Sequence, residues 1–341
     1  MLLKNLLYIG NKLSGKGANV TTIETLGTLL AGEGYTVFYA SEKKNPLLRL
    51  ADMIFSVLRY RKQVDFVLID TYSTSGFWFA FLVSQLCRQL SIEYIPILHG
   101  GNLPVRLKNN PKLSAMVFGN AYRNVAPSNY LYSEFKTYGF TNILFIPNVL
   151  ELKKYPYKER TTLAPKLLWL RAFDKIYNPK MAVAVLAEVK KTYPEATLHM
   201  VGPDRDGSME ICKAYVEEND CNVFFTGRLA KEEWIAIANQ CDIFINTTHL
   251  DNTPVSVMEA MALGLPVVST NVGGIPFLLK DKEEGFLVND GDVQAMADKV
   301  KRLVENSDDA RFIVRNARKK AESWDWNVVK LLWNDLLSEN H

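Results

Sequence analysis

The chain predicts an α/β protein made of two doubly wound halves, each a parallel sheet wrapped by helices. Three observations predict it. Short apolar, β-branched runs alternate with helix-length amphipathic stretches through both halves, the pattern of βαβ units. The length of 341 residues exceeds the ~250–300 at which a single core stops growing. A polar stretch rich in Lys, Pro and Tyr, residues 147–166, interrupts the alternation and reads as an interdomain linker.

In the first half the predicted strands are residues 5–10, 36–40, 66–70, 94–98, 124–126 and 142–146. Helical periodicity fills the gaps, for example at 20–33 and 47–61. The second half repeats the plan, with strands near 166–170, 197–201, 223–226, 242–246, 266–270 and 286–288. Helices near 180–191, 231–240 and 293–305 lie between them. The tail from Trp324-Asp325-Trp326 onward reads as an amphipathic helix. The longest uncharged run, residues 71–87, is interrupted by Ser73, Ser75, Gly76 and Ser84; it is short for a membrane span and reads as a buried helix.

Composition is that of an ordinary globular α/β chain, with 48% hydrophobic and 23% charged residues. No secretory signal is visible in the first residues, which read as a strand running into the turn at Gly10. Four cysteines without C-x-x-C spacing indicate neither a zinc site nor a disulfide framework, and a reducing cytoplasm fits. The net charge of +3 hides an asymmetry: residues 1–150 carry 15 Lys+Arg against 8 Asp+Glu, residues 151–341 carry 25 against 29. A basic half suits an anionic partner, such as a membrane surface or a lipid-phosphate acceptor, or is simply an unequal distribution of solvated charge. The basic residues are scattered and no recognition motif accompanies them, so nucleic acid is not expected.

The loop after the first strand, Gly10-Asn11-Lys12-Leu13-Ser14-Gly15-Lys16-Gly17, nearly matches G-x-x-x-x-G-K-[ST]. Gly17 stands where Ser or Thr would hold Mg²⁺, which argues against an ATPase. Gly15 and Gly17 still allow backbone to approach a ligand, the alternative being a plain turn. His99 precedes Gly100 and Gly101 at the end of a predicted strand. Asp204-Arg205-Asp206 and Asp290-Gly291-Asp292 match the short Asp-x-Asp pattern, but their glycine-rich settings indicate turns, and no metal site is expected.

The most informative stretch runs from Asp251 to Val268. An apolar strand, 242–246, precedes it. Thr253 is placed to cap a helix, Pro254 to open it and Gly264 to end it. Asp251 therefore lies in the loop at a strand's carboxyl end, where open parallel sheets bind ligands. Glu259 follows in the helix. The helix start offers free N–H groups to phosphate, and a carboxylate beside it accepts hydroxyls. A nucleotide-sugar satisfies both.

Asp251 and Glu259 with seven residues between them, then Ala260-Met261-Ala262-Leu263-Gly264-Leu265-Pro266-Val267 and the pair Gly273-Gly274, resemble the signature of retaining glycosyltransferases of family 4. That family normally has Glu at both acidic positions. The resemblance implies the GT-B fold, two Rossmann-like doubly wound domains facing a central cleft. It implies an acceptor-side domain over residues 1–155, a donor domain over 156–323 and a final helix, 324–341, crossing back to the first domain. It implies a retaining, metal-independent transfer from a nucleotide-diphosphate sugar, with no cofactor, to a saccharide or lipid-linked acceptor in bacterial polysaccharide or glycolipid assembly. Peripheral contact with the inner membrane face through the basic domain would accompany a lipid acceptor. By the same resemblance His99, Arg171 and Asp251 are the expected catalytic residues. Gly15, Gly17, Lys175, Thr253, Pro254, Val255 and Glu259 are expected to bind the donor, Glu259 through the ribose. The family carries a Lys five residues after its Arg; here that position is Ile176, with Lys175 one early. The acid that commonly follows the glycine-pair Pro is Phe277. Two other classes stay open: a GT-B nucleotide-sugar epimerase, and a non-catalytic sugar-nucleotide binding protein.

Overall fold

The computed structural model describes residues 3–13, 15, 21–74 and 76–338. They form two compact units. One comprises residues 1–149 with 326–341, the other residues 150–325.

The first unit holds strands β1 (Asn5–Ile9), β2 (Thr36–Ala40), β3 (Phe66–Thr71), β4 (Glu93–Leu98), β5 (Asn124–Ala126) and β6 (Ile143–Phe145). All pair in parallel, in the order β2-β1-β3-β4-β5-β6. Strand β3 is buried along its whole length, as its near-continuous apolar sequence requires. The strand order reverses between β1 and β3, so the loops after these two strands part there and leave room at the sheet's carboxyl edge. Helices Pro46–Tyr60 and Gly76–Gln89 cover one face, where Met53 and Val57 pack with Ala80, Val83 and Cys87. The first is started by Asn45, whose side chain accepts from Leu47 N (2.9 Å) and Leu48 N (3.2 Å), with Pro46 at the first helical position. Helix Thr22–Gly32 covers the other face together with the last helix, Trp326–Ser338. That helix seats Val329, Trp333 and Leu337 beside Leu26 and Leu30. It is tied down by Trp326 Nε1 donating to Glu33 Oε1 (3.0 Å) and by Lys330 pairing with the same carboxylate (3.1 Å).

The second unit holds β7 (Lys166–Leu170), β8 (Thr197–Val201), β9 (Val223–Gly227), β10 (Ile243–Asn246), β11 (Val267–Thr270) and β12 (Phe286–Val288). The sheet is again parallel, in the order β12-β11-β10-β7-β8-β9. Its order reverses between β7 and β10. Helix Val293–Glu305 begins at Asp292, which accepts from Ala295 N at 2.9 Å. Asp292 therefore works as a helix cap.

The segment expected to be a free linker is mostly part of the second unit. Leu150 bonds Trp324 O (2.8 Å), and Tyr155 is buried. Arg160, also buried, donates to the carbonyls of Ala238, Cys241, Leu263 and Gly264 at 2.9–3.1 Å. These are orphan carbonyls at helix ends, which a guanidinium satisfies. The chain thus passes between units at 149/150 and 325/326, against the expected 155/156 and 323/324. The uncharged run at 71–87 ends β3 and forms helix Gly76–Gln89; among the described residues no helix is long and apolar enough to cross a membrane. The four cysteines are buried and unpaired with one another.

Candidate active site

The second unit places its charged loops where its strand order reverses. Arg171 follows β7 and Asp251 follows β10, and these two strands are neighbours. Arg171 and Asp251, both expected to be catalytic, are joined in an ion pair, with both side chains mostly buried. The Arg171 guanidinium also lies over the Tyr177 ring, 4.8 Å from its centroid. The backbone of Arg171 is held by Gly202: a Cβ at Gly202 (φ +151°) would come within 1.8 Å of Arg171 O, so only glycine fits. The Asp251 loop is held from the far side by Gly274 N, which donates to Asp251 O at 2.9 Å. That is the work of the glycine pair noted in the sequence.

Helix Val255–Ala262 starts one residue later than expected. Pro254 is its N-cap and Val255 its first residue, while Thr253 makes no capping bond. Pro cannot be both extended at the cap and helical, and here it is extended (φ −66°, ψ 113°). Thr253 Oγ1 and Ser256 Oγ are buried without a hydrogen-bond partner, and so is Arg171 Nε. Three buried donors thus sit unsatisfied beside the free N–H groups of a helix start.

Glu259 faces inward from the same helix and is 8% exposed. Tyr155 donates its hydroxyl to Glu259 Oε1 at 2.6 Å, and Lys231 Nζ lies 3.4 Å from the same oxygen. Lys231 also contacts the Tyr155 hydroxyl and lies 4.8 Å above that ring. Burial raises the Glu259 pKa above the ordinary glutamate value, opposed by Lys231, the Tyr155 hydrogen bond and Arg171. Burial and the Glu259 charge push the Tyr155 phenol up, so it stays a donor. Both contacts fall on the same Glu259 oxygen, Oε1.

Lys175 is not brought into this cluster. It is exposed in a short turn, where its N–H donates to Asp206 (2.9 Å). Ile176 is exposed beside it. Asp204 accepts from Gly207 N (3.1 Å), and Asp206 accepts from Ser208 N (3.1 Å) and its hydroxyl. Asp290 pairs with His249 Nδ1 at 2.8 Å. Among the described residues no three His, Cys, Asp or Glu side chains converge as a metal site.

In the first unit, His99 follows β4 and its Nε2 lies 2.8 Å from Asp70 Oδ1, at the end of β3. A carboxylate only accepts, so Nε2 carries a proton toward Asp70. Tyr8 Oη donates to the same Asp70 oxygen at 3.0 Å, while Oδ2 is buried without a partner. Gly10 lies against Asp70; a Cβ there would meet Oδ2 at 2.5 Å. A small pocket opens between the carboxyl ends of β1 and β3, lined by Gly10, Asn11, Met53, Asp70, Tyr72 and Phe79. Gly15 is exposed in the loop after β1, and Gly17 lies outside the described residues.

Sequence reasoning missed Tyr155, Lys231 and Asp70. Tyr155 sat in a presumed linker, and Lys231 at an unremarkable helix start. Asp70 carried a signal, a charged residue closing a fully apolar strand.

The model of the glycosyl transferases group 1 matches residues 158–320. This segment belongs to that family. Sulfoquinovosyl transferase SQD2 of Arabidopsis thaliana is 30% identical over 151 residues, 43% of this chain and 29% of that protein. The chain spans between about a quarter and two thirds of the length of the curated relatives it matches. Sucrose-phosphate synthase from Thermosynechococcus elongatus superposes with a TM-score of 0.80 at 18% identity, covering 98% of both chains. Anabaena HepE in complex with UDP-glucose gives 0.78 at 17% identity, covering 98% of this chain and 99% of that one. The fold of this chain is therefore GT-B, as its sequence resemblance implies.

Proposed function

We propose that this protein is a retaining, metal-independent glycosyltransferase that moves a sugar from a nucleotide-diphosphate donor to a saccharide or lipid-linked acceptor. The observation that carries the reading is the set of buried, unsatisfied donors at the β7/β10 reversal. Arg171 Nε, Thr253 Oγ1 and Ser256 Oγ stand beside the start of helix Val255–Ala262. Unpaired buried donors cost ~1–3 kcal/mol each, and phosphate oxygens are the kind of acceptor they and a helix start suit. The Glu259 carboxylate suits ribose hydroxyls. HepE, similar in fold, is described in complex with UDP-glucose.

In this reading charge grows on the leaving diphosphate as the glycosidic bond breaks. Arg171 and the helix N–H groups stabilise it, an electrostatic role that requires no strong base from the protein. Asp251 holds Arg171 in place and shares it with the ligand. In the first unit His99, oriented by Asp70, is the residue that would contact a sugar hydroxyl. Asp204 and Asp206 are occupied by turn and helix-start hydrogen bonds, which argues against their use as metal ligands.

Incubation with a panel of nucleotide-sugars, with and without EDTA, tests the proposal. Acceptor-dependent release of nucleoside diphosphate that survives EDTA supports it, and proton NMR of the product reports the anomeric outcome. Isomerised donor without acceptor would make the protein an epimerase. Saturable binding without turnover would make it a binding protein. Loss of activity in EDTA, restored by Mn²⁺ or Mg²⁺, would return Asp204 and Asp206 to consideration.

A further inference from the structure

Burial opposes the charge that Glu259 needs. A protonated carboxyl group spends one oxygen as a donor, whereas a carboxylate accepts at both. The neighbouring hydroxyls of a ribose are met by the charged form. Yet Glu259 is 8% exposed, and burial favours the protonated form.

The groups that offset burial come from other elements. Lys231 Nζ donates to the Tyr155 hydroxyl, and that hydroxyl donates to Glu259 Oε1 at 2.6 Å. An ammonium only donates, so this chain of bonds runs toward Glu259. A donor aimed at a carboxyl group stabilises its charged form more than its protonated form. Lys231 Nζ also lies 3.4 Å from Oε1 itself. Arg171, after β7, adds a further positive charge, and Glu151 an opposing negative one at Tyr155.

Both partners are held in place. The Tyr155 ring is buried and packs against Trp234, 6.3 Å between centroids, on the helix Lys231–Ala238. Glu233 of that helix accepts from Ala230 N at 2.7 Å and fixes its first turn. Asp325 accepts from Leu152 N at 3.1 Å and anchors the segment that carries Tyr155. A purely structural tie would be served by the packed ring alone. It requires neither the phenol nor the ammonium that converge on one carboxylate oxygen.

We infer that Tyr155 and Lys231 are positioning residues for nucleotide binding, holding the buried Glu259 ionised and oriented so that it accepts the ribose hydroxyls. The inference rests on the proposed function, in which Glu259 takes the ribose. It adds two residues outside the motif, and a chemical reason why that carboxylate works while buried.

The test is calorimetric affinity for nucleotide-sugars as a function of pH, on the intact protein and on Y155F and K231M. UDP-glucose, GDP-mannose and ADP-glucose serve as probes, and the one that binds tightest is carried forward. Their phosphates are esterified on both sides and do not titrate near neutrality. Affinity is expected to fall on the acid side as Glu259 takes up a proton. In Y155F that fall should begin about one pH unit or more higher, the shift that loss of one hydrogen bond to a charged group produces. K231M should shift it in the same direction and by less, because Lys231 is partly exposed. At alkaline pH both variants should bind like the intact protein. The difference between Y155F and the intact protein should shrink with the 2′-deoxy analogue of the same probe, which lacks one of the hydroxyls. Melting by circular dichroism shows whether each variant is folded, and a Y155F protein that melts early leaves K231M decisive. Variants that weaken binding equally at every pH, or leave it unchanged, overturn the inference while the donor reading stands. An intact protein that binds none of the probes overturns the donor reading itself, and this inference with it.

Discussion

The two units have the same architecture and place their polar groups at the same kind of position, yet only one announces itself in the sequence. In the second unit the strand order reverses between β7 and β10, and the loops there hold Arg171, Asp251 and a helix start. In the first it reverses between β1 and β3, and the loops hold Gly10 and Asp70, with His99 reaching in from β4. The second site is read from contiguous residues, because one loop and one helix carry most of it. The first is assembled from residues 10, 70 and 99, which no local motif joins. The topology predicts both sites equally, and motif spacing reveals only one.

If the second unit binds the charged, reacting part of the donor, the largest effect should follow from Arg171. Arg171→Ala is expected to lower kcat by about 100-fold or more, with a smaller change in KM, as preorganised charge stabilisation is typically worth ~2.7–4 kcal/mol. Lys175→Ala should do much less, since its side chain is exposed outside the cluster. Steady-state kinetics on both variants decide it, and a more damaging Lys175→Ala would reassign the phosphate contact.

Nucleotide affinity should likewise belong to the second unit. Glu259→Ala is expected to weaken binding of the nucleoside diphosphate about tenfold or more, because a hydrogen bond to a carboxylate is worth ~1.5–3 kcal/mol. Calorimetry measures it. Unchanged affinity would mean that Glu259 serves only Tyr155 and Lys231.

The first unit should show the opposite profile. Asp70→Ala removes the acceptor that orients the His99 ring. Turnover is expected to fall about tenfold, since misplacing one positioning group by ~1 Å costs up to 100-fold. Nucleotide affinity should stay as it was. A variant that loses nucleotide affinity as well would erase the division of labour between the two sites.

What was legible follows the same division. Strands β2, β5, β7, β8 and β12 have the bounds the alternation predicts, because apolar runs between turn residues leave a parallel sheet few other registers. The helix after Asp251 was legible from Gly264 and Pro266, but its start was misplaced, since Thr and Pro both suit several positions at a helix start. The strap at 150–165 was not legible. Its polar composition reads as linker, and only the structure shows Arg160 satisfying carbonyls at residues 238, 241, 263 and 264. Long-range hydrogen bonds to backbone leave no pattern in sequence. The same is true of Tyr155 and Lys231, which meet Glu259 from 104 and 28 residues away.

The smallest expected effect concerns the cost of keeping Glu259 charged. Burial raises its pKa above the ordinary glutamate value, so the folded protein holds this proton more tightly than the unfolded chain. The stability that protonation contributes is then complete below the unfolded value and is lost as pH rises through the raised, folded one. Glu259→Gln removes that titration. It keeps the volume and an acceptor for the Tyr155 hydroxyl, and Lys231 is exposed enough to be hydrated without its partner. The variant should therefore be the more stable at neutral pH, by ~0.5–1 kcal/mol, as is common where a site residue is replaced. Its advantage should shrink as pH falls toward the ordinary glutamate range of about 4. Thermal melts of both proteins across that range give the difference directly. A difference that grows on acidification would show that Lys231 and Tyr155 outweigh burial, leaving Glu259 a structural anchor with no stored cost for a ligand to relieve.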